Sequence, residues 1–219
     1  MMLACSALIF DFDYTLADSS RGVESCINYA LQELGFPPVP YETVCQTIGF
    51  SLEETYARLT RNPAAQGNEF RRLFIERAED VMVEGTFILG GIPEAIETLR
   101  KDFTLGIVST KFRRRIEAIL NREGMRDPFA VIVGAEDVIR HKPDPESLLL
   151  ALEKLDVSPE EAVYIGDSIV DATAAQSAGV RFIAVLSGVT ERNAFQGFDV
   201  LQFLESAKDL PGWVRDTSG

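Results

Sequence analysis

Ala7-Leu8-Ile9-Phe10-Asp11-Phe12-Asp13-Tyr14-Thr15-Leu16 decides how the rest of this 219-residue chain is read. Its first four residues form a short apolar run, the form taken by a parallel strand buried on both faces. Asp11 and Asp13 follow one residue apart, which puts a carboxylate pair at the strand's carboxyl end. Open α/β sheets bind ligands outside such ends. A polar turn after a strand would give the same tripeptide, so the pair gains meaning only from what the other strand ends carry.

Leu105-Gly106-Ile107-Val108 delivers Ser109, Thr110 and Lys111. Ala162-Val163-Tyr164-Ile165 delivers Gly166, Asp167 and Ser168, with Asp171 a helical turn further on, and Lys142 opens a Lys-Pro-Asp-Pro turn before a helix. From Gly90 onward the pattern alternates: helix over 93–101, strand over 104–108, helix over 113–123, strand over 130–133. It continues with helix over 145–155, strand over 162–165, helix over 170–178 and strand over 181–186. Alternation of this kind predicts right-handed crossovers and an α/β fold, a Rossmann-like parallel sheet with helices on both faces.

Between the first strand and Gly85 the pattern is purely helical. Val23, Ile27, Ala30, Leu31 and Leu34 recur at helical spacing, with Ser19 and Ser20 as candidate N-caps and Gly35 as the stop. Pro37, Pro38 and Pro40 enforce a break, Ser51 and Glu54 form a capping-box pattern, and Phe70, Leu73, Phe74, Ala78, Val81 and Met82 mark a further helix. The expected organisation is a core of 1–17 and 85–219 with an inserted α-helical domain over 18–84, Gly85 supplying freedom in the second tether.

The net charge of −13 argues against a nucleic-acid or anionic-membrane function, which needs a basic face. Arg113-Arg114-Arg115 reads as a solvated helix face. Cys5, Cys26 and Cys45 have no metal-binding spacing and read as small buried hydrophobes. His141, the one histidine, excludes a His-rich zinc site, so any metal must be held mainly by oxygen. With neither a basic leader nor a membrane-length apolar run, the expected location is cytoplasmic.

Taken as an ordered set, Asp11-Phe12-Asp13, Ser109, Lys142 and Asp167 with Asp171 resemble the motifs of the haloacid dehalogenase-like hydrolase superfamily in its phosphatase branch, over 11–185. The helical insert resembles that superfamily's mobile cap, with Gly49-Phe50-Ser51-Leu52 as a substrate-facing loop and Tyr56, Arg58, Arg71 and Arg72 as candidate cap contacts that otherwise read as ordinary helix-surface residues. The resemblance implies Asp11 as nucleophile and Asp13 as general acid and base. It implies Ser109, the Thr110 amide and Lys142 as phosphoryl-binding groups, and Asp11, Asp13, Asp167 and Asp171 around a metal. Clustered carboxylates need a cation to stay ionised, and an all-oxygen set favours Mg²⁺.

The expected enzyme is a phosphoric monoester hydrolase similar to phosphoglycolate phosphatases, acting on a small phosphorylated metabolite as a monomer or homodimer. Asp13 disfavours the dehalogenase and phosphonate-cleaving branches, and the absence of histidine over 16–21 disfavours a sugar phosphate mutase. Pyrophosphatase, nucleotidase or sugar phosphate phosphatase or mutase activity remains open on the same fold, as do, further down, a signalling phosphoacceptor and a non-catalytic binding protein. Tyr14 stands where the phosphoglycolate type has glycine, so the turn there is either ordinary or strained.

Overall fold

The computed structural model describes residues 5–61 and 66–218. The chain opens with β1 (Ala7–Phe10) and β2 (Ala17–Asp18), then α1 (Ser20–Glu33), α2 (Tyr41–Cys45), α3 (Leu52–Thr60) and α4 (Gly67–Val81). After β3 (Phe87–Ile88) come α5 (Ile92–Leu99), β4 (Thr104–Val108), α6 (Arg113–Arg122), β5 (Phe129–Val133) and α7 (Glu146–Leu155). Then follow β6 (Ala162–Gly166), α8 (Ile169–Ala178), β7 (Arg181–Val185), β8 (Val200–Leu204) and α9 (Leu210–Ser218). The chain divides into two compact units, Asp18–Phe87 and the pair of segments Met1–Ala17 and Ile88–Gly219.

In the larger unit a six-stranded sheet has the order β5-β4-β1-β6-β7-β8, and its neighbours pair in parallel. β1 lies fully buried between β4 and β6, and the chain builds the sheet outward first on one side of it and then on the other. That reversal is a topological switch point, where the crossovers on either side leave a crevice at the carboxyl ends. Ala7, Ile9, Ala162, Tyr164 and Ala184 pack on one face with Leu148, Ala151, Ala172 and Ala175 of α7 and α8. Alternation turns Leu8 and Phe10, also fully buried, to the opposite face.

The smaller unit carries α1 to α4 around its own core of Val23, Ile27, Leu31, Val44, Tyr56, Phe70, Phe74 and Met82. Its caps follow local chemistry: Ser51 Oγ accepts from the Glu54 amide at 3.2 Å. At α1 the Ser19 side chain makes no cap bond, and the Asp18 carboxylate instead accepts from the Ser20 amide at 2.8 Å. Gly85 is packed rather than open, since an added Cβ would lie 2.8 Å from the Val81 carbonyl oxygen and 3.0 Å from Gly22 Cα.

Two expectations about surface residues fail. Arg115 is buried, so Arg113-Arg114-Arg115 is not a uniformly solvated face. Helix α6 turns it inward while Glu136 accepts from the Arg113 and Arg114 amides. Tyr56 is fully buried against Phe36 and Phe70 instead of standing on the helical surface. Cys26 and Cys45 are buried free thiols, and Cys5 is half-buried. No helix among the described residues is long and apolar enough to cross a membrane.

Candidate active site

Asp11 leaves β1 with its amide bonded to the Ile165 carbonyl of β6 at 2.8 Å, which fixes its position at the sheet's carboxyl edge. Lys142, on the loop before α7, reaches the same place. Its Nζ lies 2.9 Å from Asp11 Oδ1, 2.5 Å from Asp171 Oδ1 and 3.0 Å from the Tyr164 hydroxyl. The Asp11 contact is an ion pair without hydrogen-bond alignment, so Asp11 Oδ1 is buried with no hydrogen-bond donor.

Asp171 is fully buried and saturated by the chain itself. Besides Lys142, its Oδ2 accepts from the Ser168 hydroxyl at 2.6 Å and the Ser168 amide at 3.1 Å, a capping box that starts α8. The Tyr164 hydroxyl stands 3.0 Å from both Asp171 Oδ1 and the Val108 carbonyl, and its single proton can serve one of them. Gly166 makes this packing possible, because a Cβ there would meet Asp171 Cγ at 2.6 Å.

Asp11, Asp167 and Asp171 each offer a carboxylate oxygen, all within 4.8 Å of one another. Burial pushes the Asp11 carboxyl up to about 7; Lys142 opposes the shift, and Asp171 and Asp13 add to it. Burial also raises Asp167 well above the ordinary carboxylate value, with Asp171 and Asp11 pushing the same way. For Lys142, burial disfavours the ammonium, but Asp11 and Asp171 outweigh it and raise its pKa. One lysine thus faces an excess of buried negative charge. That imbalance, with an all-oxygen donor set, fits a hard divalent cation.

Asp13 stands apart from this trio. Its Oδ2 pairs with Lys111 Nζ at 3.2 Å, both side chains being buried. The Lys111 amide donates to Ser109 Oγ at 3.3 Å, so one residue ties the β4 strand end to the second aspartate. Ser109 is buried and Thr110 half-buried beside it. Tyr14 adopts φ +62°, which resolves the turn as the left-handed conformation that glycine favours. The helical arginines are engaged on their own surface: Arg58 with Glu54 and the Phe50 ring, Arg71 with Glu53, and Arg72 with Glu69 and Glu76.

Lys111 and Tyr164 were visible in the sequence only as the neighbours of motif residues. A lysine directly after a strand-end hydroxyl pair was the available signal for the first. For Tyr164 it was a phenol inside a strand otherwise buried and apolar.

The family pattern described as haloacid dehalogenase-like hydrolase matches residues 8–185. A phosphoglycolate phosphatase of Psychrobacter arcticus is 31% identical over 88% of this chain and 90% of its own length. Pyrophosphatase PpaX of Listeria monocytogenes is 32% identical over 96% of this chain and 97% of its own. A Bacteroides fragilis crystal structure assigned to the haloacid dehalogenase-like hydrolases superposes with a TM-score of 0.91 at 40% identity, covering 94% of this chain and 99% of that one. With a matched span that runs from β1 through β7, the chain belongs to the haloacid dehalogenase-like hydrolase family.

Proposed function

We propose that this chain is a Mg²⁺-dependent phosphoric monoester hydrolase that cleaves a small phosphorylated metabolite through a phosphoenzyme on Asp11. The observation that carries the reading is the Asp11 carboxylate, buried at the switch point with one oxygen lacking a hydrogen-bond donor and a lysine ammonium 2.9 Å away. A carboxylate so placed is a competent nucleophile toward phosphorus.

In this reading Asp11 attacks the phosphorus, the ester bond breaks, and the departing oxygen takes a proton from Asp13. Asp13 then removes a proton from water, which attacks the same phosphorus, releases inorganic phosphate and restores the Asp11 carboxylate. Lys111 holds Asp13 in place for both transfers. Ser109, the Thr110 amide and Lys142 bind phosphoryl oxygens and stabilise the charge that builds there. Asp11, the Asp13 carbonyl, Asp167 and Asp171 would hold the Mg²⁺, whose contribution is to neutralise the acids and the phosphoryl oxygens. Asp171, whose oxygens already accept from Lys142 and Ser168, serves better at the edge of that shell than at its centre.

A phosphoglycolate-like monoester is the first substrate candidate, and inorganic pyrophosphate the second, favoured by the likeness to pyrophosphatase PpaX over nearly the whole chain. The test is a panel of phosphoglycolate, pyrophosphate, nucleoside monophosphates and sugar phosphates, assayed with Mg²⁺ and after chelation. Mg²⁺-dependent release of phosphate from at least one member is expected. Undiminished turnover in chelator would contradict the reading.

A further inference from the structure

After β7 the chain reads Leu186-Ser187-Gly188-Val189 and lies at the same edge of the sheet as the acids. Two contacts leave this loop for two different strand ends. Ser187 Oγ donates to the Tyr14 carbonyl at 2.6 Å, across 173 residues of sequence. Gly188 lies against the Asp167 carboxylate, so closely that an added Cβ would stand 1.9 Å from Asp167 Oδ2 and 2.8 Å from its Cγ.

Neither contact is explained by the loop's own conformation. Gly188 does not have the positive φ that calls for glycine elsewhere in this chain, so space, not backbone angle, excludes a side chain there. Tyr14 does have it, at +62°, and a residue with a side chain stays in that region only when its surroundings hold it. The Tyr14 amide bonds back to the Ala17 carbonyl at 2.6 Å, and Ser187 takes the carbonyl on the other side of the same residue. The turn that directly follows Asp11 and Asp13 is therefore braced from β7.

Building on the phosphatase reading above, we propose that Ser187 and Gly188 are positioning residues that set the geometry of the acidic pocket. Ser187 fixes the turn behind the Asp11-Asp13 pair, and Gly188 fixes the lie of the Asp167 carboxylate by leaving only backbone against it. Groups behind metal ligands act by orienting them, and losing one typically weakens metal affinity about 10- to 100-fold.

The test combines Mg²⁺ binding by calorimetry without substrate, thermal unfolding in metal-free buffer, and steady-state kinetics. Gly188→Ala should raise the Mg²⁺ Kd at least about tenfold. In metal-free buffer its loss of thermal stability should shrink when Asp167→Ala is added, because the overlap is then removed. Ser187→Ala should lower kcat about tenfold with KM within about threefold, and Ser187→Thr, which keeps the hydroxyl, should restore it. If Gly188→Ala does not fold, recovery of folding in the double variant supports the contact, and failure to recover overturns it. A folded Gly188→Ala with wild-type Kd, or a Ser187→Ala with wild-type kcat, overturns the corresponding half. Wild-type protein that binds no Mg²⁺ would defeat the phosphatase reading, while the metal-free cycle still decides the Gly188 contact.

Discussion

Lys142 is the cation that Asp11 and Asp171 share, and the Asp11 carboxyl remains at about 7, above its ordinary value of 3.8. Between those values the folded protein holds a proton that the unfolded chain has released. Stability from this group is therefore present below about pH 4 and lost as pH rises through about 7. Metal-free wild type should show this fall in Tm relative to Asp11→Asn, which cannot titrate, and Mg²⁺ should raise the wild-type Tm more at about pH 8 than at about pH 5. A metal response independent of pH would contradict it. In the proposed mechanism Asp13, paired with Lys111, is the proton donor and acceptor. Asp13→Asn should slow turnover at least about a hundredfold and leave a phosphoenzyme detectable only with a good leaving group such as p-nitrophenyl phosphate. Asp11, Asp13, Ser109 and Asp167 were legible as polar residues at the ends of apolar strand-like runs, and Lys142 and Asp171 as later members of the same ordered set. Ser187 was not, since nothing in local sequence announces a hydrogen bond to Tyr14 across 173 residues.

Among the elements, the close approach of α1 and the turn after α4 leaves no room for an added methyl group. Gly22 and Gly85 meet with backbone against backbone, so Gly85→Ala must displace one helix end and should cost about 1–3 kcal/mol in unfolding experiments. Gly90, with open space where its Cβ would go, is the control: Gly90→Ala should be neutral or slightly stabilising. Equal effects at the two positions would show that the packing at Gly85 is not what requires glycine. The alternating elements from α5 to β7 were legible from periodicity, with ends shifted by a residue or two. β8 and α9 were not. β8 is an edge strand with an exposed Leu201 and half-buried neighbours, so it has neither the continuous apolar run of β1 nor a clean alternation. β2 and β3 are two residues each, too short for any period to register.

For the whole molecule, the strand order makes β1 the pivot of the sheet, and sequence alternation alone does not reveal that order. It follows once β4 and β6 are seen on opposite sides of β1, which brings Ser109, Asp11 and Asp167 to one edge from three strands far apart in the chain. The central claim is that phosphoryl transfer at this edge passes through Asp11. The direct measurement is acid quench of the enzyme during turnover with Mg²⁺, followed by mass spectrometry of the peptide that contains Asp11. The account predicts a phosphoryl group on Asp11 that forms with Mg²⁺, is lost on chelation, and is absent together with turnover in Asp11→Asn. A phosphoryl group on another residue, or continued turnover by Asp11→Asn, would contradict it.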